Sequence, residues 1–260
     1  MSLCFGRWPF AAAALVALIA SVHAQPTGSW EMKTAMPAAL NEVALAYVDG
    51  KVHVLGGSVL EYDPSLDTWR ILSPLKAGRG SVAVVALDGR IHAIGGRAPD
   101  GTTVATHEVY DPKANTWKEL APLPKARDHT AAAVIDGKIH IAGGRFTGPV
   151  DRTGLHDVYD PTTNTWLSAP PLPTPRSGLA GASYKGLFVV LDGELPPDHT
   201  FPENEAYDSK ANSWRELAPM PAGRHGTSAA TDGNHVYLAG GSLKPGSGAV
   251  TNQLIVFTLP

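Results

Sequence analysis

The 260-residue sequence predicts an all-β fold built from repeated four-stranded units, on three observations. Tryptophan recurs at Trp30, Trp69, Trp117, Trp166 and Trp214, in steps of 39, 48, 49 and 48 residues. A tyrosine stands seven residues before it in four copies, at Tyr62, Tyr110, Tyr159 and Tyr207, a rigid spacing inside a looser one. Ahead of each tyrosine, two short apolar runs meet at a glycine-containing pair and the second run closes on Gly-Gly, as from Asp136-Gly137 to Gly143-Gly144, or on Asp192-Gly193 ahead of Tyr207.

Each unit reads as strands a to d. Asp-Gly between apolar runs signals a type I′ hairpin joining a to b, because both central residues of that turn need positive φ. Strand b ends in Gly-Gly, and a loop of variable length leads to strand c, which ends in Tyr-Asp-Pro in three copies. Proline then stops the ladder and opens a turn carrying Asn or Asp, after which Trp opens strand d. Copies begin at Asp49-Gly50, Asp88-Gly89, Asp136-Gly137, Lys185-Gly186 and Asp232-Gly233. Four-stranded units repeated in line are what a β-propeller requires.

The ends predict how the ring closes. The last copy runs through Leu254 to Phe257 without a strand d, whereas Ser29-Trp30-Glu31-Met32 reads as a strand d alone. Joined, they complete a fifth blade and remove the exposed edges of an open array. Strand a is rich in small residues (Ala44, Ala83, Ala131 to Ala133, Ala180, Ala182, Ala229), which suits a crowded axis.

Residues 1–24 stand apart from the repeat. Arg7, an apolar run from Phe10 to Val22, and Val22-His23-Ala24 before Gln25 read as a secretory signal, the run being short for a bilayer span. The propeller then occupies residues 25–260, secreted or periplasmic, without a membrane span and as a monomer. Cys4 is the single cysteine and lies in the signal, so no disulfide or thiolate metal ligand is expected in the mature chain. Loss of Arg7 leaves 20 basic against 24 acidic side chains, a formal charge of −4 that gives no reason to expect nucleic acid.

Gly-Gly closing strand b, Tyr at the end of strand c and Trp seven residues on resemble the kelch repeat, over about residues 28–259. The resemblance implies that these glycines, tyrosines and tryptophans are architectural. Kelch propellers more often have six or seven blades, so five is a departure. The relatives imply protein binding most often. A bacterial periplasmic kelch propeller that epimerises sialic acid makes an enzyme acting on an acidic sugar the alternative, and a purely structural adhesive module is a third. Galactose oxidase, whose copper centre uses a tyrosine crosslinked to cysteine, is excluded as a model of activity by the cysteine-free mature chain.

Sixteen residues before the first glycine of each pair, or before Asp192 in its place, stand Leu40, Arg79, Arg127, Arg176 and Arg224. One past each pair stand Ser58, Arg97, Arg145, Glu194 and Ser242. Both loops are expected at one mouth of the channel, where convergent guanidiniums suit a carboxylate, phosphate or sulfate. The plainer reading of the four arginines leading into strand a, which resemble the kelch consensus, is that they satisfy loop carbonyls. Arg97 and Arg145 are the better ligand candidates, with His129 and His225 beside the loop arginines. The expected partner is a protein or an acidic saccharide.

Copy 4 carries Glu194, Asp198, His199, Glu203 and Glu205 on one loop, which makes Glu194 and His199 the candidate acid and base. The plant specifier proteins of the kelch family hold iron with Glu, Asp and His. Glu194 and Asp198 match the first interval of that set and His199 does not match the second, so neither a metal nor another cofactor is expected. His53, His92 and His140 share a strand-b register with Val189 and Tyr237, so they are expected to pack rather than to ligate. Copy 1 has the shortest loop after its glycines and Leu40 in place of Arg, the expected gap in the rim. No nucleophile elbow, phosphate loop or zinc-protease helix is written in the chain.

Overall fold

In a computed structural model, residues 28–39, 44–48, 50–55, 59–72, 80–98, 100–111, 116–148, 150–246 and 248–260 are described. The signal segment, Leu40, Gly56, Gly57, Ser58 and Arg79 lie outside the described residues, so the expectations for them rest on sequence.

Five four-stranded antiparallel sheets form a five-bladed propeller. Blade 1 is β2 (Ala44–Val48), β3 (Lys51–Leu55), β4 (Val59–Asp63) and β5 (Thr68–Leu72). Blade 2 is β6 (Ala83–Leu87), β7 (Arg90–Ile94), β8 (His107–Asp111) and β9 (Thr116–Glu119), and blade 3 is β10 (Ala131–Ile135), β11 (Lys138–Ala142), β12 (His156–Asp160) and β13 (Thr165–Ala169). Blade 4 is β14 (Ala180–Tyr184), β15 (Leu187–Leu191), β18 (Glu205–Asp208) and β19 (Ser213–Glu216). It carries a small ribbon of β16 (Glu194–Leu195) and β17 (His199–Thr200). Blade 5 is β20 (Ala229–Thr231), β21 (Val236–Ala239), β22 (Leu254–Thr258) and, from the other end of the chain, β1 (Ser29–Lys33).

The closure follows the predicted pairing, from Ser29 opposite Thr258 to Lys33 opposite Leu254. The seven-residue spacing is thereby explained. It places Tyr62 opposite Trp69, Tyr159 opposite Trp166 and Tyr207 opposite Trp214, and the closure supplies the fifth pair, Phe257 opposite Trp30. Ring centroids in these four pairs are 5.1 to 5.4 Å apart.

The same residues tie neighbouring blades together. The indole N–H of Trp69 donates to Thr34 O at 2.8 Å, that of Trp166 to Ala121 O at 2.8 Å, that of Trp214 to Pro170 O at 2.8 Å and that of Trp30 to Ala218 O at 3.1 Å. Each acceptor follows strand d of the preceding blade, so each bond crosses a seam at a value of about 1 kcal/mol. The turn residues Asp67 and Asn164, both left-handed at φ 53°, accept the tyrosine hydroxyl of their own blade and a backbone N–H of the preceding one. Apolar clusters fill the seams between blades 2 and 3, 3 and 4, 4 and 5, and 5 and 1.

Asp88-Gly89, Asp136-Gly137 and Lys185-Gly186 have positive φ at both residues, as the type I′ reading requires. Copy 5 differs. Its turn widens to four residues between Thr231 and Val236, held by the Asp232 carboxylate accepting from the N–H groups of Asn234 and His235.

Two of the strand-b histidines, His92 and His140, pack within their blades, and the side chain of His53 lies outside the described residues. His92 Nδ1 meets His107 Nε2 and His140 Nδ1 meets His156 Nε2, both at 2.9 Å. His107 and His156 donate from Nδ1 to Ala121 O and Pro170 O, which leaves each Nε2 as an acceptor. Burial pulls His107 and His156 down to about 4 and His140 to about 3, so all three rings are neutral at pH 7.

Candidate functional site

In blades 2 to 5 the mouth is built from two loops per blade, paired through their backbones. Gly80 pairs with Arg97, Asp128 with Arg145, Ser177 with Glu194 and His225 with Ser242. The loop leading into strand a and the loop after the glycines therefore emerge together, as expected. The second glycine docks each blade on the next: Gly96 N–H donates to Arg127 O, Gly144 to Arg176 O and Gly193 to Arg224 O, at 2.8 to 2.9 Å. In blade 2 the first must stay small, since a Cβ on Gly95 would lie 2.4 Å from Arg127 O.

Two residues after each loop arginine the backbone turns left-handed, at Ser81 (φ 49°), His129 (φ 55°), Gly178 (φ 74°) and Gly226 (φ 69°). These residues form an inner collar. His129 N–H donates to Ser81 O, Gly178 to His129 O and Gly226 to Gly178 O.

Three of the loop arginines are enclosed. Arg127 donates to Asp157 at 2.7 Å, Arg176 ion-pairs with Glu205 and donates to Asp192 O and Thr174 O, and Arg224 donates to Gln253 at 3.0 Å and Gly240 O at 3.3 Å. None is more than 1% exposed, and each clamps strands of its own blade instead of reaching the channel.

Arg97, His129, Arg145, Glu194 and His225 do come together, joined by Asp128, which the sequence did not single out. Arg145 is the hub. Its Nε donates to Asp128 at 2.9 Å, its Nη1 to Glu194 at 3.3 Å and its Nη2 to His129 Nε2 at 3.1 Å. His129 Nδ1 donates to Asp128 at 2.7 Å, which makes Nε2 the acceptor for both Arg145 and the Ser81 hydroxyl at 3.2 Å. Glu194 also accepts from Gly246 N–H at 2.9 Å and lies 3.4 Å from His225 Nδ1, while His225 Nε2 donates to the carbonyls of Lys244 and Gly246. Burial pushes the Asp128 carboxyl up, but His129 and Arg145 outweigh it and hold the group at about 2.

Arg97 is the open end of this network. Its Nε donates to Asp128 at 3.2 Å and its side chain is 35% exposed, and its Nη groups have no partner among the described residues. His199 does not join Glu194: it is exposed on β17, edge-on to Phe201 at 4.6 Å, while Glu194 is buried at the mouth. Asp192 keeps the left-handed turn of the glycine it replaces, and burial raises its carboxyl to about 7. Among the described residues no three His, Cys, Asp or Glu side chains are grouped to hold a metal ion.

The family model for the KLHDC2/KLHL20/DRC7 Kelch-repeats domain matches residues 59–241. The chain belongs to the kelch-repeat family. Kelch propellers are generally protein-binding modules. Among solved structures this kelch propeller is similar to the one described as the structure of YjhT, at 16% identity and a TM-score of 0.59, covering 87% of this chain and 97% of that one. No curated protein sequence matches it significantly. The likeness to YjhT shows the fold alone.

Proposed function

We propose that this kelch propeller is a secreted or periplasmic binding module whose channel mouth takes a partner through a carboxylate, presented by a protein segment. The observation that carries this is the asymmetry among its arginines. Arg127, Arg145, Arg176 and Arg224 are spent on internal acceptors, whereas Arg97 is anchored through Nε and offers two Nη groups to solvent. A guanidinium fixed at one nitrogen has lost part of its side-chain entropy in advance, so a carboxylate gains a paired contact at lower ordering cost. The family favours a protein as the source of that carboxylate, and an acidic saccharide shares the chemistry.

A thermal-shift series separates the two sources. An acidic peptide and its amide analogue form one arm, and glucuronic, galacturonic and sialic acids with neutral sugars form the other. Binding to the folded state raises the midpoint by mass action. The proposal expects acids to act and neutral analogues not to, and equal shifts from both would refute it.

A further inference from the structure

The geometry points to a serine hydrolase relay at the channel mouth, in which Ser81 is the nucleophile, His129 the general base and Asp128 the residue that orients it. Ser81 comes from the loop entering β6 of blade 2, and Asp128 with His129 from the loop entering β10 of blade 3, so no sequence motif announces the set. Ser81 Oγ lies 3.2 Å from His129 Nε2, and His129 Nδ1 lies 2.7 Å from Asp128 Oδ1. Asp128 is fully buried and further held by Arg97, Arg145 and Thr103, so the imidazole keeps the tautomer whose Nε2 can accept a proton. Ser81 and His129 hold, as non-glycine residues, the left-handed collar position that glycine fills in blades 4 and 5. The Ser81 hydroxyl is directed at that nitrogen in a residue that remains partly exposed.

A hydroxyl nucleophile with an imidazole base takes an acyl compound, and the substrate class is a carboxylic ester. Ser81 Oγ bonds to the acyl carbon while His129 Nε2 takes the hydroxyl proton. The carbon–oxygen bond to the alcohol then breaks, and the proton passes to the leaving oxygen. Water repeats the sequence on the acyl-serine, giving the acid and restoring the hydroxyl. Arg145 Nη2, which shares Nε2 in the resting site, gives up that acceptor when Nε2 is protonated and keeps its bonds to Asp128 and Glu194. Arg97 is fixed beside the nucleophile by backbone pairing with Gly80, and its Nη groups, without a partner among the described residues, are the donors for the oxyanion.

The test is labelling of the full chain with a fluorophosphonate probe, mapped by mass spectrometry, with hydrolysis of p-nitrophenyl acetate followed in parallel. Ser81 is expected to be labelled in the folded protein and not after heat denaturation. Ser81→Gly, the residue found at this position in blades 4 and 5, should abolish labelling and turnover with an unchanged melting midpoint. His129→Asn should slow labelling by about a hundredfold or more. Absence of labelling in the folded wild type, labelling elsewhere, or undiminished labelling of Ser81→Gly would overturn the proposal. A chain that responds to acidic ligands but is not labelled keeps the binding reading and loses this one.

Discussion

Arg97 and Arg145 occupy the same position in consecutive copies, one past the glycine pair, and the structure assigns them opposite costs of removal. Arg145→Met would take one guanidinium from Asp128, Glu194 and His129 at once, with the Asp128 side chain 0% and the Glu194 side chain 6% exposed. Breaking a buried pair on one side costs about 3–5 kcal/mol, because the orphaned charge stays buried. For a domain of this size that lowers the melting midpoint by about 10 °C. Arg97→Ala removes one contact from a side chain that is 35% exposed, and should cost less than about 1 kcal/mol. Urea unfolding of the two variants against wild type measures both values. Adding Glu194→Gln to Arg145→Met removes one orphaned charge and should recover about 1 kcal/mol or more. Equal costs for the two arginines, or no recovery in the double variant, would refute the division into scaffold and open end.

Two other expectations follow from the blades. The neutral histidines make stability fall in acid. Their folded values of about 3 to 4 lie below the ordinary 6.5, so the unfolded chain binds more protons between these limits. Their contribution is complete above pH 6.5 and is lost as pH falls towards 4, by about 2 kcal/mol per ring at pH 5. Replacing the blade 3 pair with the blade 4 residues at the same register, as His140→Val with His156→Asn, should flatten the urea midpoint between pH 7.5 and 5. An unchanged pH slope would place the effect elsewhere. At the closing seam, Trp30→Phe loses the bond to Ala218 O and should destabilise by about 1 kcal/mol in equilibrium unfolding, with the ring still packed on Phe257.

The fold was legible because the repeat encodes it twice, as Asp-Gly turns along the chain and as Tyr–Trp pairs across strands. Even the closure could be read, since a lone strand d at one end matches its absence at the other. The arginine register was legible too, but the burial of its members was not. Their partners Asp157, Glu205 and Gln253 lie 29 or 30 residues downstream and share no residue type. Glu194 stood out by breaking the repeat. Ser81 and Asp128 did not, because the two positions after the loop arginine hold Gly-Ser, Asp-His, Ser-Gly and His-Gly, with nothing repeated to depart from. The contact that completes the network, Arg145 to Glu194, joins residues 49 apart, which is one copy of the repeat. Such a neighbour is visible only once consecutive blades have packed together.

The most direct test of the binding account is calorimetric titration of wild type and Arg97→Ala with the same acidic peptide and its amide analogue. The account predicts that the acid binds wild type, that Arg97→Ala loses at least tenfold in affinity, equivalent to about 1.4 kcal/mol, and that the amide binds both proteins weakly and alike. Undiminished binding of the acid to Arg97→Ala would contradict it.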